Sequence, residues 1–360
     1  MSEPERRFVY DQLPGRVVFG AGRLADLAAE LERLGCGRAL VLCTPEQRDT
    51  ADRVAASLGA AAAGVHDGAV MHTPVETVER ARKIAAALRA DAYVAVGGGT
   101  TIGLGKGIAL ETGRPVIAVP TTYSGSEMTP IIGLTEGGVK RTLRDLKVLP
   151  ATVIYDPDLT ASLPPAIAGP SGMNAIAHAV EALYAENANP ISSLMAEDGI
   201  RALGRALPRV VADPGDDAAR AEAFYGSWLC GAVLGCVGMA LHHKLCHTLG
   251  GSFNLPHAET HTVILPHAAA YNSAAASAAM ARVARALGGA RAEDAAPGLF
   301  DLAASVSAPT SLQAIGMTAD GLDRAADLAV QNPYFNPAPV TREGVRALLD
   351  DAFHGRRPKP

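Results

Sequence analysis

The chain has no concentrated positive charge, and this shortage excludes two broad classes of function. Its 360 residues hold 32 lysines and arginines against 37 aspartates and glutamates, for a formal net charge of -5. No long basic run occurs. A protein that binds nucleic acid or an anionic membrane surface normally carries such a basic footprint. We therefore expect neither partner and predict that the protein acts on a small molecule.

Long apolar runs and paired cysteines are missing as well. No stretch of about 18 apolar residues, the length of a transmembrane helix, runs without charge or histidine. No basic and apolar leader opens the chain. The five cysteines are odd in number, form no CxxC motif and mostly lie in apolar surroundings. This is the pattern of reduced, buried thiols, and we predict a cytoplasmic protein.

The chain does have length, and its pattern changes partway along. A chain of 360 residues exceeds the size at which one core usually keeps growing, so two domains with a cleft between them are expected. In the first part, apolar strands such as RALVLC, DAYVAV and PVIAVP alternate with helices, which is typical of a parallel sheet covered on both faces. Beyond Leu163, helical stripes replace the strands. We predict an α/β domain over residues 1–160 and an all-α domain over residues 161–360.

Three glycines lie where the run DAYVAV gives way to a helical pattern. Gly97, Gly98 and Gly99 precede Thr100, and glycines at such a turn let the backbone approach an anion while the following helix offers its N–H groups. The string is not the GxGxxG fingerprint, so a plain tight turn is the alternative. Lys106 lies one to two turns into the helix, where it either helps to hold a pyrophosphate or positions the loop.

A second polar strand end follows the run PVIAVP. The string PTTYSGSE places Thr121, Thr122 and Ser126 there. Two neighbouring strand ends form the crevice in which open parallel sheets bind their ligands. The predicted cofactor-binding residues are therefore Gly97, Gly98, Gly99, Thr100, Lys106, Thr121, Thr122 and Ser126.

Six of the ten histidines fall in one stretch of 27 residues, LHHKLCHTLGGSFNLPHAETHTVILPH. A helix from Leu241 to about Leu249, broken by the two glycines after it, places His243 and His247 on one face. A chain that turns back there brings His257 opposite this pair. Clustered histidines either ligate a metal or donate protons, and the spacing favours such a site over scattered surface histidines.

A helix near the start of the second half carries two further polar residues. We predict that it begins at Ser171 as the N-cap and that an apolar stripe follows. Asn174 and His178 lie four residues apart and therefore share one face of this helix.

Together these strings resemble the iron-containing alcohol dehydrogenase superfamily over nearly the whole chain. The resemblance rests on GGGT after a strand, PTTYSGSE, GMNAIAH and the spacing HxxxH(x)9H. The longer strings SGMNAIAHAVEALYA, LHHKLCHTLGGSFNLPHAETHT and NPYFNPAP resemble its maleylacetate reductase branch. The resemblance implies an N-terminal α/β dinucleotide-binding domain, an all-α C-terminal domain and a homodimer. It further implies that NADH or NADPH reduces the carbon-carbon double bond of maleylacetate to 3-oxoadipate, in the degradation of aromatic compounds.

The resemblance also decides what we expect of a metal. In the wider superfamily an aspartate and three histidines hold a divalent ion, and the matching positions are Asn174, His178, His243 and His257. An asparagine oxygen is neutral and a weaker ligand than a carboxylate, so we expect an enzyme that requires no metal. The alternatives are a metal-dependent alcohol or polyol dehydrogenase, a lyase or cyclising enzyme that resembles dehydroquinate synthase and shares this architecture, and a non-catalytic nucleotide-binding protein.

Without a metal, histidines have to stabilise the enolate that hydride addition creates and supply the proton. The predicted catalytic residues are His178, His243, His247 and His257. The predicted substrate-binding residues are Asn174, His178, His243, His257 and Lys140. Lys140 follows a Gly-Gly turn, and there it faces either an anionic ligand or solvent.

Overall fold

The computed structural model of the chain describes residues 8–137 and 139–359, apart from the side chains of residues 139 and 140. In these ranges the strands are β1 Arg16–Phe19, β2 Ala39–Leu42, β3 Ala62–His66, β4 Ala92–Gly97, β5 Val116–Pro120, β6 Ile131–Glu136, β7 Val139–Arg144 and β8 Thr152–Tyr155. Six of them form one sheet in the order β1-β8-β5-β4-β2-β3, and every pair in it is parallel. β6 and β7 form a separate antiparallel hairpin.

Helices cover the sheet and then make up the rest of the molecule. Those alternating with the strands are α1 Leu27–Arg33, α2 Arg48–Leu58, α3 Val75–Ala87 and α4 Gly99–Thr112. After the last strand come α5 Pro165–Ala182, α6 Pro190–Ala212, α7 Asp217–Cys236, α8 Leu241–Phe253, α9 His257–Asn272, α10 Ser277–Ala286, α11 Ala295–Ser305, α12 Gly321–Ala329 and α13 Arg342–His354. The predicted fold class, an α/β part followed by an all-α part, is confirmed.

The central strands are buried because helices lie on both faces of the sheet. All six residues of β4 and all five of β5 are buried. One face of the sheet packs on α1 and α2, through residues such as Leu31 and Val54. The other face shares an apolar core with the helical part, which runs from Tyr93 in β4 to Met173 in α5 and Leu203 in α6. The sheet, α5 and α6 are therefore held against each other by a continuous core.

The winding of the sheet reverses beside β4. β3 follows β2 towards one edge, whereas β5 lies on the opposite side of β4, so the order of strands changes direction between β2 and β4. In parallel sheets of this kind the ligand crevice opens at such a reversal, beyond the carboxyl ends of the strands. The glycine turn after β4 lies at this point.

Two predicted helix boundaries were wrong. α5 begins at Pro165 rather than after Ser171, because a proline fits the first position of a helix. The Ser171 hydroxyl instead accepts a hydrogen bond from the Tyr123 backbone N–H, at 2.9 Å. α8 continues through Gly250 and Gly251 to Phe253, and the left-handed residue that follows it is Asn254, with φ of 54°.

Among the described residues, no single helix is long and apolar enough to cross a membrane, although α7 and α8 pass that test of length and composition when taken together as a pair bent by 94°.

Candidate active site

The glycine turn forms a cradle at the start of α4. Gly98 is the residue before the first turn of the helix, and no side chain caps that end. A Cβ atom on Gly98 would lie 2.9 Å from Thr122 Oγ1, so a side chain would fill the gap between the two strand ends. The backbone N–H groups of a first helical turn have no partners within the helix. The turn therefore has the shape and polarity that a pyrophosphate requires.

Gln47 closes the crevice from the β2 side, and sequence reasoning missed it. Its Nε2 donates to Thr121 Oγ1 at 2.7 Å, and Thr121 N donates to Gly97 O at 3.2 Å. The loops after β2, β4 and β5 are thus joined at one end of the sheet. Nothing in the local sequence distinguishes Gln47 from a surface residue, because its partner lies 74 positions away.

Lys106 lies inside the protein rather than in the crevice. Its side chain is fully buried, and Nζ donates to the carbonyl oxygens of Ser126, Thr129 and Ile131 at 2.6, 2.8 and 2.9 Å. Burial lowers the pKa of this lysine to about 7. Of the two roles that its position allowed, this geometry favours the positioning of the loop. The Lys140 side chain lies outside the described residues.

Three buried histidines from three helices meet beside Ser124, in the loop after β5. His178 Nδ1 lies 2.8 Å from His243 Nε2. His261 packs its ring against both, with centroids 5.1 Å from His243 and 6.0 Å from His178. One nitrogen of each of the three lies within 4.8 Å of the others. The structure thus brings together α5, α8 and α9 through one imidazole each.

A buried glutamate fixes the orientation of His243. Glu181 is fully buried, and its carboxylate accepts from His243 Nδ1 at 2.8 Å. It also accepts from the backbone N–H groups of Ala240 and His242 at 2.7 and 2.8 Å, which ties it to the start of α8. Sequence reasoning missed Glu181. The signal was its spacing, since Asn174, His178 and Glu181 recur at four and three residues and therefore share one face of α5.

The hydrogen-bond partners of His178 and His243 indicate that neither of the two nitrogens facing each other carries a hydrogen. His243 Nδ1 faces a carboxylate, so it carries the hydrogen and Nε2 has a lone pair. His178 Nε2 lies 3.2 Å from the Ser124 carbonyl oxygen, so it also carries the hydrogen and Nδ1 has a lone pair. Two lone pairs then face each other at 2.8 Å. Burial lowers the pKa of His243 to about 3 and that of His178 well below its usual value, which disfavours a proton between them.

A divalent cation fits this arrangement. Both ring nitrogens of His261 and the Oδ1 atom of Asn174 are buried without hydrogen-bond partners among the described residues. Neutral imidazole nitrogens are common ligands of zinc and of iron. A carboxylate behind a ligating histidine, as Glu181 is behind His243, is the usual support of such a ligand.

His247 and His257 lie at the outside of this cluster. Both are exposed. The ring of His247 lies 6.3 Å from that of His243, and the ring of His257 lies 4.2 Å from that of His261. The turn after α8 does bring the His257 segment towards His243, but the imidazole buried beside His243 belongs to His261, one helical turn later.

A parallel sheet with a glycine turn at its reversal point, joined to a buried histidine cluster in a helical part, is typical of nucleotide-dependent oxidoreductases. The chain belongs to the iron-containing alcohol dehydrogenase family. Residues 14–157 match the family profile described as iron-containing alcohol dehydrogenase, and residues 169–353 match that of the C-terminal part of the same family.

Within this family the chain is similar to maleylacetate reductases over nearly its whole length. It is 59% identical to the maleylacetate reductase of Burkholderia cepacia over 351 residues, which cover 98% of this chain and 99% of that protein. Its structure is similar to that of maleylacetate reductase from Agrobacterium tumefaciens, with 55% identity, a TM-score of 0.94 and coverage of 98% and 100% of the two chains. The enzyme from Rhizobium sp. strain MTP-10005 gives 54% identity, a TM-score of 0.93 and the same coverage.

The expectation that the enzyme needs no metal was wrong. The family is one of iron-containing enzymes, and the structure holds a histidine cluster that fits a cation. The expectation rested on the missing carboxylate at Asn174. The four positions matched to the superfamily did not include His261, which adds a buried ring nitrogen to the cluster.

Proposed function

We propose that this protein is an NADH- or NADPH-dependent maleylacetate reductase, which adds hydride and a proton across the carbon-carbon double bond to give 3-oxoadipate. The observation that carries the proposal is the contact between the two parts of the site. Ser124 Oγ lies 3.7 Å from where a Cβ on Gly99 would be, and the Ser124 carbonyl lies 3.2 Å from His178. One residue thus borders both the nucleotide turn and the histidine cluster. The similarity to enzymes of this name supports the choice of substrate.

The residues divide into a nucleotide part and a substrate part. The turn from Gly97 to Thr100, with Thr121 and Thr122 beside it, binds the pyrophosphate through backbone N–H groups and hydroxyls. The bound NAD(P)H supplies the hydride. Residues 1–160 are the dinucleotide-binding domain in this proposal, and residues 161–360 form the substrate domain.

In this proposal the histidine cluster stabilises the negative charge of the enolate that the reaction creates. When hydride reaches the alkene carbon β to the ketone, negative charge moves to the ketone oxygen as an enolate, and the α carbon then takes a proton. His178, His243 and His261 would hold a divalent cation, whose Lewis acidity would stabilise the negative charge on the ketone oxygen. His247 and His257 lie at the exposed side, where they can donate to the carboxylates of the substrate. Asn174 completes the inner wall.

A direct assay tests the proposed function. Purified protein mixed with maleylacetate and NADH is expected to consume the reduced cofactor and form 3-oxoadipate in equal amounts. Consumption of NADH without that product, or turnover of simple alcohols only, would reject this function in favour of an alcohol or polyol dehydrogenase.

Cofactor selectivity gives a separate prediction. Thr44 follows β2, where many dinucleotide enzymes have an acidic residue that binds the ribose 2′-hydroxyl and repels a 2′-phosphate. We expect both cofactors to be used, with kcat/KM values within about a thousandfold of each other. Thr44→Asp is expected to shift the preference about a hundredfold towards NADH. The same change at the exposed Thr318 is the control and is expected to leave the ratio unchanged.

Metal binding to the cluster can be measured without turnover. Zinc titrated into the chelator-treated protein is expected to bind at about one ion per chain. His261→Gln removes one ligand nitrogen and is expected to raise the dissociation constant for zinc about a hundredfold. His354→Gln, at an exposed position in α13, is the control. Equal affinities in the two variants would show that His261 is not a ligand.

We also propose that the enzyme is a homodimer of the cytoplasm. The five cysteines are all free thiols, and Cys43, Cys230 and Cys246 are buried, which agrees with a reducing compartment. Light scattering coupled to size-exclusion chromatography measures the oligomeric state directly.

A further inference from the structure

The segment 124–131 links the two parts of the site, and it is built around the buried ammonium of Lys106. Its Nζ donates to the carbonyl oxygens of Ser126, Thr129 and Ile131, and the Thr129 hydroxyl oxygen lies 3.0 Å away as a further acceptor. Burying a charge is costly unless polar groups surround it. Here the backbone supplies those groups, so this part of the segment depends on the lysine for its shape.

Glu127 secures the same segment from the other side. It is fully buried, and its carboxylate accepts from Tyr155 Oη at 2.8 Å and from Ser124 Oγ at 3.3 Å. Tyr155 is the last residue of β8, so the glutamate ties the segment to the end of the sheet. Burial lowers the pKa of Lys106 and raises the pKa of Glu127, and the attraction between their charged forms opposes both shifts. The segment is thus hydrogen-bonded to Lys106 of α4 on one side and to Tyr155 of β8 on the other.

The fastened segment presents one carbonyl to the histidine cluster. Ser124 O accepts from His178 Nε2 at 3.2 Å and from Asn174 Nδ2 at 3.3 Å. The next residue, Gly125, has φ of 80° and lies so close to α7 that a Cβ on it would be 3.0 Å from Gly231 Cα. The turn is therefore confined, and its carbonyl can face His178 only while the segment keeps its place.

We propose that Lys106 and Glu127 are positioning residues, which hold the turn of residues 124–126 so that the Ser124 carbonyl fixes His178 with Nδ1 directed at His243. The kinetic readout below rests on the proposed function, whereas the spectroscopic readout does not. Neither residue touches the substrate in this arrangement.

Histidine tautomers report on the proposal directly. In zinc-loaded protein labelled with ¹⁵N-histidine, long-range ¹H–¹⁵N spectra of the wild type are expected to show His178 with its hydrogen on Nε2 and its Nδ1 facing the ion. Lys106→Met and Glu127→Gln are expected to convert it to a mixture of tautomers or to the Nδ1 form. Lys83→Met, at an exposed position in α3, is the control. An unchanged His178 signal in the folded variants would overturn the proposal.

Kinetics then separate positioning from cofactor binding. We expect both variants to lower kcat about ten- to a hundredfold, because small displacements of catalytic groups are costly, while the dissociation constant of NADH changes by less than about threefold. The double variant is expected to be no slower than the slower single variant, since both act through one segment. If Lys106→Met instead weakens NADH binding by the whole factor lost in kcat/KM and leaves kcat unchanged, the lysine is a phosphate ligand and the proposal fails.

Glu127→Gln is the smaller change of the two and keeps the test usable if the other variant misfolds. Glu127→Gln keeps an oxygen that can accept from Tyr155, so it carries both measurements if Lys106→Met does not fold. Wild-type protein that does not reduce maleylacetate would reject the proposed function, and the tautomer spectra would still decide the positioning role.

Discussion

Replacing His243 by glutamine is expected to lower kcat/KM for maleylacetate about a thousandfold, or roughly 4 kcal/mol of transition-state stabilisation. His243 is the residue on which the cluster converges, since Nε2 faces His178, Nδ1 faces Glu181 and the ring packs on His261. Glutamine cannot present one ring nitrogen to each side. The absorbance of NADH in steady-state assays measures the effect.

A second buried histidine provides the matched control for this variant. His267 is buried in α9, and burial lowers its pKa to about 4, but among the residues that the structure describes its ring packs against Phe300 rather than against the cluster. His267→Gln therefore imposes a similar burial cost and is expected to retain nearly full kcat/KM. Similar losses in the two variants would mean that His243 acts through stability, and thermal unfolding of both would record that effect.

Replacing Gly98 by valine is expected to raise the dissociation constant of NADH about a hundredfold while the protein remains folded. A Cβ at this position would lie 2.9 Å from Thr122 Oγ1 and 3.0 Å from Thr122 Cγ2, so the side chain would occupy the space between the two strand ends. The pyrophosphate would then lose the close backbone approach that the turn provides. Fluorescence titration with NADH measures the change.

Gly37 offers the control for this second variant. It lies in the exposed loop before β2, and a Cβ on it would meet no atom within 4 Å. Gly37→Val is expected to bind NADH as the wild type does. If Gly98→Val binds NADH normally as well, the cofactor does not lie across the glycine turn.

The fold could be predicted from the sequence because its signals are local. The buried strands β2, β4 and β5 are short apolar runs, and a strand covered on both faces has no polar side to interrupt such a run. The glycine turn was equally visible, since its glycines are adjacent in the chain. The helical half was visible from its stripes, although the start of α5 and the end of α8 were misplaced because proline and glycine can lie inside or at the start of a helix.

The chemistry of the site was decided by contacts between distant positions. Spacing placed histidines near one another, but only the packing of α8 against α9 determined that His261 is buried beside His243 while His257 is exposed. Glu181 lies 62 positions from the ring it orients, and the carbonyl oxygens around Lys106 lie 20 to 25 positions away. A local pattern fixes which face a residue occupies, because backbone geometry repeats along the chain. Which partner meets that face depends on how whole elements pack, so the members of the buried histidine cluster, the carboxylate beside it and the burial of Lys106 followed from the tertiary structure alone.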